Sequence, residues 1–136
     1  MGRKITIGSA KAAGRDLQQW TCKHIADLLG LQWGANEMIA SREGAQSGTD
    51  VRLVGEARQR FPFSVECKNT KVWNLQKAVY QARDNCEPDT DWLLVMKRRH
   101  KLKDVRIAPI IVMDAERFFR LLKEVGFARK AVSRQG

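Results

Sequence analysis

The spacing of hydrophobic residues along the chain predicts three helices and five strands. Apolar positions that recur every three or four residues indicate helices, whereas alternating or short continuous apolar runs indicate strands. The predicted helices cover residues 9–29, 72–85 and 115–125, and the predicted strands cover residues 37–41, 49–54, 61–68, 92–96 and 106–113. A charged turn with helical character is predicted at residues 55–60. This order predicts an α/β fold, with a mixed central β-sheet flanked by helices.

Capping residues bound the first and last helices. Ser9 and Asp114 are predicted to cap the first turns, and Gly30 and Gly126 to end the helices. The predicted buried faces consist of Leu17, Trp20, His24 or Cys22, Ile25 and Leu28 in the first helix, and of Phe118, Leu121, Leu122 and Val125 in the last. In the middle helix, Trp73 and Tyr80 are expected to pack in the core or at an interface.

Two of the strands carry positional signals. The continuous apolar run at residues 92–96 predicts a strand that is buried on both faces. Pro109 lies inside the last predicted strand. Because proline cannot donate a hydrogen bond to a neighbouring strand, it indicates an edge position or a bulge.

The composition indicates one folded domain over residues 1–136 with a polyanionic partner. The chain has 25 Lys and Arg against 15 Asp and Glu, a formal net charge of +10, and 43% of its residues are hydrophobic. The hydrophobic fraction is sufficient for a core, and the charge favours nucleic acid over a membrane surface. Residues 1–8 and 129–136 are expected to form flexible basic arms.

Features of membrane and secreted proteins are missing from the sequence. No apolar run is long enough to span a membrane, and the N-terminal residues contain no apolar signal-peptide core. The three cysteines form no CxxC pair, which argues against a disulfide framework and against structural zinc. We therefore expect a reduced, cytoplasmic setting.

The acidic residues Asp50 and Glu66 lie on neighbouring predicted strands. Glu66 and Lys68 are two residues apart and project from one face of their strand, whereas Cys67 points to the opposite, core face. If the two strands pair as a hairpin, Asp50 and Glu66 lie side by side. Two close carboxylates repel unless a cation joins them, and their oxygen ligands suit Mg²⁺ or Mn²⁺. The alternative is an ordinary set of charged residues on a solvated sheet face.

The segments Gly48-Thr49-Asp50 and Glu66-Cys67-Lys68 resemble the PD-(D/E)XK nuclease superfamily. In that superfamily an Asp and a later (Asp/Glu)-X-Lys occupy adjacent strands of a restriction-endonuclease-like core, and the predicted order of elements is similar to that core. Thr49 stands where the family motif has proline. Small phage-type Holliday junction resolvases and related phage endonucleases are the most similar group.

The resemblance implies a role for each site residue. Asp50, Glu66 and the main-chain carbonyl of Cys67 would hold one or two Mg²⁺ ions, with Mn²⁺ as a substitute. Lys68 would orient or deprotonate the attacking water. Asp16 matches an additional acid on the first helix, acting directly or through water. A glutamine on the helix after Lys68 would face the site, and Gln81 is favoured over Gln76.

The resemblance also implies a function: a structure-selective DNA endonuclease that depends on Mg²⁺, most similar to a homodimeric Holliday junction resolvase of DNA recombination in a bacterial or phage-infected cell. One alternative is a recombination or DNA-end exonuclease, or a restriction-like nuclease, with the same site. Another is a noncatalytic DNA-binding protein on a nuclease scaffold. The last alternative is disfavoured because Asp50, Glu66 and Lys68 are all present.

Basic residues near these motifs are predicted to bind the phosphate backbone of DNA. Six Lys and Arg fall within residues 97–106, for which the alternative is a solubilising hairpin tip. The predicted DNA-binding residues are Arg3, Lys4, Lys11, Arg15, Arg42, Lys71, Lys97, Arg98, Arg99, Lys101 and Lys103.

Overall fold

The computed structural model describes residues 7–42, 48–98 and 108–127, with side chains from Ala10 onward. Within these ranges the elements follow the predicted order, and the charged turn at residues 55–60 forms a short helix. The helices are α1 (Ile7–Leu29), α2 (Gly55–Arg60), α3 (Leu75–Asp84) and α4 (Ala115–Glu124). The strands are β1 (Ile39–Ser41), β2 (Val51–Leu53), β3 (Phe63–Thr70), β4 (Asp91–Arg98) and β5 (Ile110–Val112).

The strands form two sheets, and together with the helices they make a mixed α/β fold. β1 and β2 pair antiparallel. β3 and β4 pair parallel, and β4 and β5 pair antiparallel, which gives a mixed three-stranded sheet in the order β3-β4-β5. The predicted hairpin between the strands of Asp50 and Glu66 is therefore wrong, because β2 and β3 belong to different sheets and form no continuous ladder of hydrogen bonds. The chain turns through α2 between β2 and β3, and a single backbone hydrogen bond from Asp50 N–H to the Val65 carbonyl (3.0 Å) joins them.

α1 packs on the face of the strands that carries Val65 and Cys67. It buries a stripe that includes Leu17, Cys22 and Ile25. Trp20, His24 and Leu28 are exposed, so their predicted place in the core is wrong. Small side chains on the buried face of α1 allow the helix to approach the sheet closely. The bulky side chains of the exposed face would keep it further away.

The two ends of α1 differ in how closely they match the helix bounds predicted from the sequence. The helix begins at Ile7, two residues before the predicted cap Ser9. At its other end, Gly30 has φ +68° and follows the last helical residue, as predicted for a helix that stops at glycine.

β4 is the central strand of the mixed sheet and is buried on both faces, as predicted. Val95 belongs to the core under α1, whereas Leu94 and Met96 belong to a second, smaller core. β5 is an edge strand preceded by Pro109, which confirms the edge interpretation of this proline.

α3 covers the second core with two small residues, Ala78 and Ala82. Trp73 packs against this core, whereas Tyr80 is exposed and does not pack in the core. Packing of Tyr80 at an interface stays a prediction. Because alanine side chains are short, α3 lies close above β3 and β4. It thereby covers the face of β3 that carries Glu66.

In α4 the fully buried side chain is Arg117. Of the predicted inward residues, Leu121 and Leu122 are partly buried and Leu121 packs against the main core, whereas Phe118 and Val125 are exposed. The Asp114 carboxylate accepts from the N–H groups of Glu116 and Arg117 and caps the helix, as predicted. Arg117 is 5% exposed, its Nε donates to Asp91 Oδ2 at 2.6 Å, and its guanidinium lies 4.8 Å from the centre of the Phe63 ring. Asp91, the first residue of β4, therefore holds the Arg117 guanidinium on the buried face of α4.

The three cysteines are free thiols. Cys22 and Cys67 are buried, and burial raises the pKa of the Cys22 thiol to about 12. Among the helices in the described ranges, none combines the length and the apolar character that crossing a membrane requires.

Candidate active site

Asp50 is attached to β3 by both its backbone and its side chain. Its N–H donates to the Val65 carbonyl, and its Oδ2 accepts from the N–H of Cys67 at 2.8 Å. These two bonds fix the carboxylate beside the strand that carries Glu66. The structure therefore brings the two predicted acids together, although their strands do not form a ladder.

Glu66 is one of the most buried side chains of the protein, at 1% exposure. The alternative of a solvated sheet face is wrong for this residue, because α3 covers the face. Asn85, which follows the last turn of α3, donates its Nδ2 to Glu66 Oε1 at 2.9 Å.

Sequence reasoning missed Asn85. The available signal is its spacing: Asn85 lies four residues after Gln81, so the two side chains share one face of α3. If α3 had been predicted to cover Glu66, both Gln81 and Asn85 would have been predicted to lie near that residue. The face of β3 covered by α3 was not apparent from the strand's own pattern.

Burial raises the pKa of Glu66 to about 7. Repulsion by the Asp50 charge and a hydrogen bond to Asp50 raise it as well, whereas the hydrogen bond from Asn85 and the charge of Lys68 lower it. These effects favour the protonated form of Glu66 up to about neutral pH. A cation between the two carboxylates would replace that proton and relieve the repulsion.

The donor set fits Mg²⁺ or Mn²⁺. One oxygen of each carboxyl accepts from a fixed amide N–H, of Cys67 for Asp50 and of Asn85 for Glu66, which leaves the other oxygen for the hydrogen bond between the two side chains or for a cation. The N–H and C=O of a strand residue leave on the same side of the strand, so the Cys67 carbonyl is on the side of Asp50. Mg²⁺ typically binds one or two carboxylates and completes its shell with water and substrate phosphate.

Asp16 is exposed on α1 and does not join this pair. Over residues 7–42, 48–98 and 108–127, no three His, Cys, Asp or Glu side chains form a group that could hold a metal. α1 does approach the end of β3, since Asn69 Nδ2 donates to the Ala13 carbonyl at 2.9 Å. A role for Asp16 through water stays a prediction.

Lys68 and Gln81 line a common cavity of about 230 Å³ between β3 and α3. Lys77 and Asn74 line it as well. Gln76 instead donates to the Tyr80 hydroxyl at 3.3 Å and is exposed. Of the two glutamines left open by the sequence, Gln81 is the one on the side of Lys68.

Arg42 supports the turn that presents Asp50. Its backbone N–H donates to the Asp50 carbonyl at 2.9 Å, and its Nε donates to the Thr49 carbonyl. The guanidinium lies against Gly48, whose φ of +106° favours glycine. The buried Thr49 donates its hydroxyl to the Val51 carbonyl at 2.9 Å. The predicted phosphate contact by Arg42 is therefore at most an addition to this local role.

Several predicted DNA-binding residues lie at one end of the mixed sheet. Lys97 and Arg98 pair in register with Asn69 and Thr70, at the carboxyl ends of β4 and β3, and both are exposed. Lys71 follows β3 directly and is exposed too. Lys11 and Arg15 are exposed on α1, whereas Arg3, Lys4, Arg99, Lys101 and Lys103 lie outside the described residues.

Comparisons of the chain with protein-family models, with curated proteins and with solved structures gave no match. Function is therefore inferred from the geometry of Asp50, Glu66 and Lys68 and from the charge around them.

Proposed function

We propose that the protein is a DNA endonuclease that depends on Mg²⁺ and has a PD-(D/E)XK active site on a restriction-endonuclease-like core. The observation that carries this proposal is the buried Glu66 held against Asp50, with Lys68 two residues further along the same strand. Burying the Glu66 carboxyl beside the half-buried Asp50 costs stability. Such a cost is typical of a functional site that a cation completes.

The chain's own groups would bind and orient the reactants. Asp50, Glu66 and the Cys67 carbonyl would hold the divalent cation, which polarises a phosphodiester and lowers the pKa of a bound water. The amide donors of Cys67 and Asn85 keep the two carboxylates oriented. Lys68, on the Glu66 face, would orient or deprotonate the attacking water and stabilise the developing negative charge.

The substrate is proposed to be DNA because exposed cations lie at the end of the sheet toward which Lys68 follows Glu66. Lys71, Lys97 and Arg98 are exposed at the carboxyl ends of β3 and β4, beyond Lys68. With the net charge of +10, they would attract the phosphate backbone. We propose branched DNA as the preferred substrate, on the resemblance to junction resolvases. Two symmetric cuts need two sites, which a two-fold homodimer of this small chain supplies.

The proposal is tested by incubating the purified protein and Mg²⁺ with four-way junctions, flaps, linear duplex and single strands. Paired symmetric nicks on the junction are the expected result. Stepwise loss from DNA ends would instead support the exonuclease alternative. Binding without cutting in either Mg²⁺ or Mn²⁺ would support the noncatalytic alternative.

Lys68→Ala is the informative variant, and Lys123→Ala is its control. We expect Lys68→Ala to lower the cleavage rate at least about 100-fold, which is a typical loss for a general base, while DNA affinity changes less than about threefold. Lys123→Ala removes an exposed charge on α4, outside the proposed DNA-binding residues, and is expected to cleave at nearly the native rate. Equal rates for Lys68→Ala and the native protein would contradict the site.

A further inference from the structure

A second, larger cavity of about 610 Å³ lies between α1, the loop at residues 33–36 and the β1–β2 pair. Its volume is in the range of small-molecule pockets. Neither the acid pair nor Lys68 lines it. The lining side chains that carry the inference are Gln19, Trp33, Asn36, Ser41 and Arg52.

The pocket wall is held in place by hydrogen bonds within the protein. One terminal nitrogen of Arg52 donates to the carbonyls of Ala35 (3.2 Å) and Glu37 (2.9 Å). The N–H of Gly34 donates to the Ile39 carbonyl at 2.9 Å, and Trp33 forms a β-bridge with Ile39. The loop that carries Trp33 is thus attached to both β1 and β2. The indole is 37% exposed and lines the cavity.

The pocket lies next to Asp50. Ser41, at one side of the pocket, is paired with Val51, the residue after Asp50. Arg52 is two residues from Asp50 along the same segment, a distance of about 7 Å for extended backbone. The backbone that carries Asp50 is therefore continuous with one wall of the pocket.

We propose that this pocket binds an unpaired nucleobase of DNA adjacent to the phosphodiester that is cut. The Trp33 indole provides a flat surface for base stacking. The Gln19 and Asn36 amides can each donate and accept, so they match the polar edges of bases, and Arg52 adds positive charge. Bases inside a duplex are stacked on their neighbours and cannot enter, so the pocket favours branched DNA whose branch point exposes an unpaired base.

This inference rests on the proposed nuclease function and adds the substrate feature that its site recognises. The test measures the dissociation constant of DNA at fixed salt, in EDTA, so that no cleavage occurs. The probes are a blunt duplex, the same duplex with a single-stranded flap, and that flap duplex with abasic sites in place of the unpaired bases. Native protein is expected to bind the flap more tightly than the other two.

Trp33→Ala is expected to weaken binding of the flap about 5- to 100-fold, the range found when a stacking aromatic is removed. It should leave blunt-duplex and abasic affinities within about twofold. Trp33→Phe keeps a stacking ring and is expected to restore most of the flap affinity. Trp20→Ala is the matched control, because Trp20 is similarly exposed (41%) but packs against the His24 ring at a tilt of 44° and does not line the pocket.

Two outcomes would contradict the proposal that the pocket binds a nucleobase. One is a flap affinity that is unchanged in Trp33→Ala or falls equally in Trp20→Ala. The other is a changed oligomeric state of Trp33→Ala on size-exclusion chromatography, which would identify the pocket as a protein interface. Cleavage with Mg²⁺ is measured in parallel. If the protein cleaves DNA but Trp33→Ala leaves the flap affinity unchanged, only the proposed nucleobase pocket is contradicted. If the protein binds the flap selectively but cleaves no DNA, only the proposed nuclease function is contradicted.

Discussion

Glu66→Gln should stabilise the metal-free protein above neutral pH. The glutamine carbonyl can accept from Asn85 as Glu66 Oε1 does, and its amide can donate to Asp50, as the protonated Glu66 does. The variant therefore mimics the protonated carboxyl at every pH. It removes the need to ionise a group that is 1% exposed and faces another carboxylate.

The magnitude follows from the pKa of Glu66, which is about 7 in the folded protein against an ordinary value of 4.5. The folded state binds the proton more tightly than the unfolded state. Its stabilisation by protonated Glu66 is therefore complete below about pH 4.5 and is lost as the pH rises through about 7. At about 1.4 kcal/mol per pH unit, the loss amounts to about 3 kcal/mol.

Urea unfolding in EDTA from pH 5 to pH 8.5 measures this effect. The native protein is expected to lose up to about 3 kcal/mol of unfolding free energy relative to Glu66→Gln over this range. Glu56→Gln is the control, because Glu56 is an exposed carboxylate paired with Arg60. If the native protein and Glu66→Gln have parallel pH profiles, Glu66 ionises normally and the acid pair is not coupled as described.

Three further predictions concern residues around the site and the fold. Asn85→Ala should raise the pKa of Glu66 above that of the native protein, because the bond from Asn85 lowers it; the pH profile of unfolding measures the change. Gln81→Ala should slow single-turnover DNA cleavage more than Gln76→Ala does, because Gln81 lines the Lys68 cavity, and equal rates would refute its assignment. Arg117→Ala should cost about 2–4 kcal/mol in urea unfolding, against less than about 1 kcal/mol for the exposed Arg120→Ala.

The sequence predicts the order of elements well because each helix or strand carries its own periodicity. Strand parity likewise assigns Glu66 and Lys68 to one face of β3, whereas the predicted proximity of Asp50 to Glu66 depended on a hairpin between their strands. The hairpin that was expected to join them is replaced by two short contacts from Asp50. The acids still meet because those contacts use the Asp50 backbone and carboxylate.

What the sequence does not predict depends on which elements cross each other. Glu66 is buried because α3 lies over it, a fact that the pattern of β3 does not contain. The sequence pattern assigns Arg117 to the polar face of its helix. In the structure its side chain is buried, because it pairs with Asp91 on a strand 26 residues earlier. In α1, two apolar stripes compete, and the one with smaller residues packs on the sheet while Trp20 and Leu28 remain exposed.

The central claim is that Asp50 and Glu66 together hold a divalent cation when DNA is bound. Its most direct test is the number of Mn²⁺ ions bound per chain in the DNA complex at pH 8, measured by electron paramagnetic resonance. The native protein and Glu56→Gln should bind one or two Mn²⁺ ions beyond those bound by the DNA. Asp50→Asn and Glu66→Gln should bind none, and equal Mn²⁺ binding by all four proteins would contradict the account.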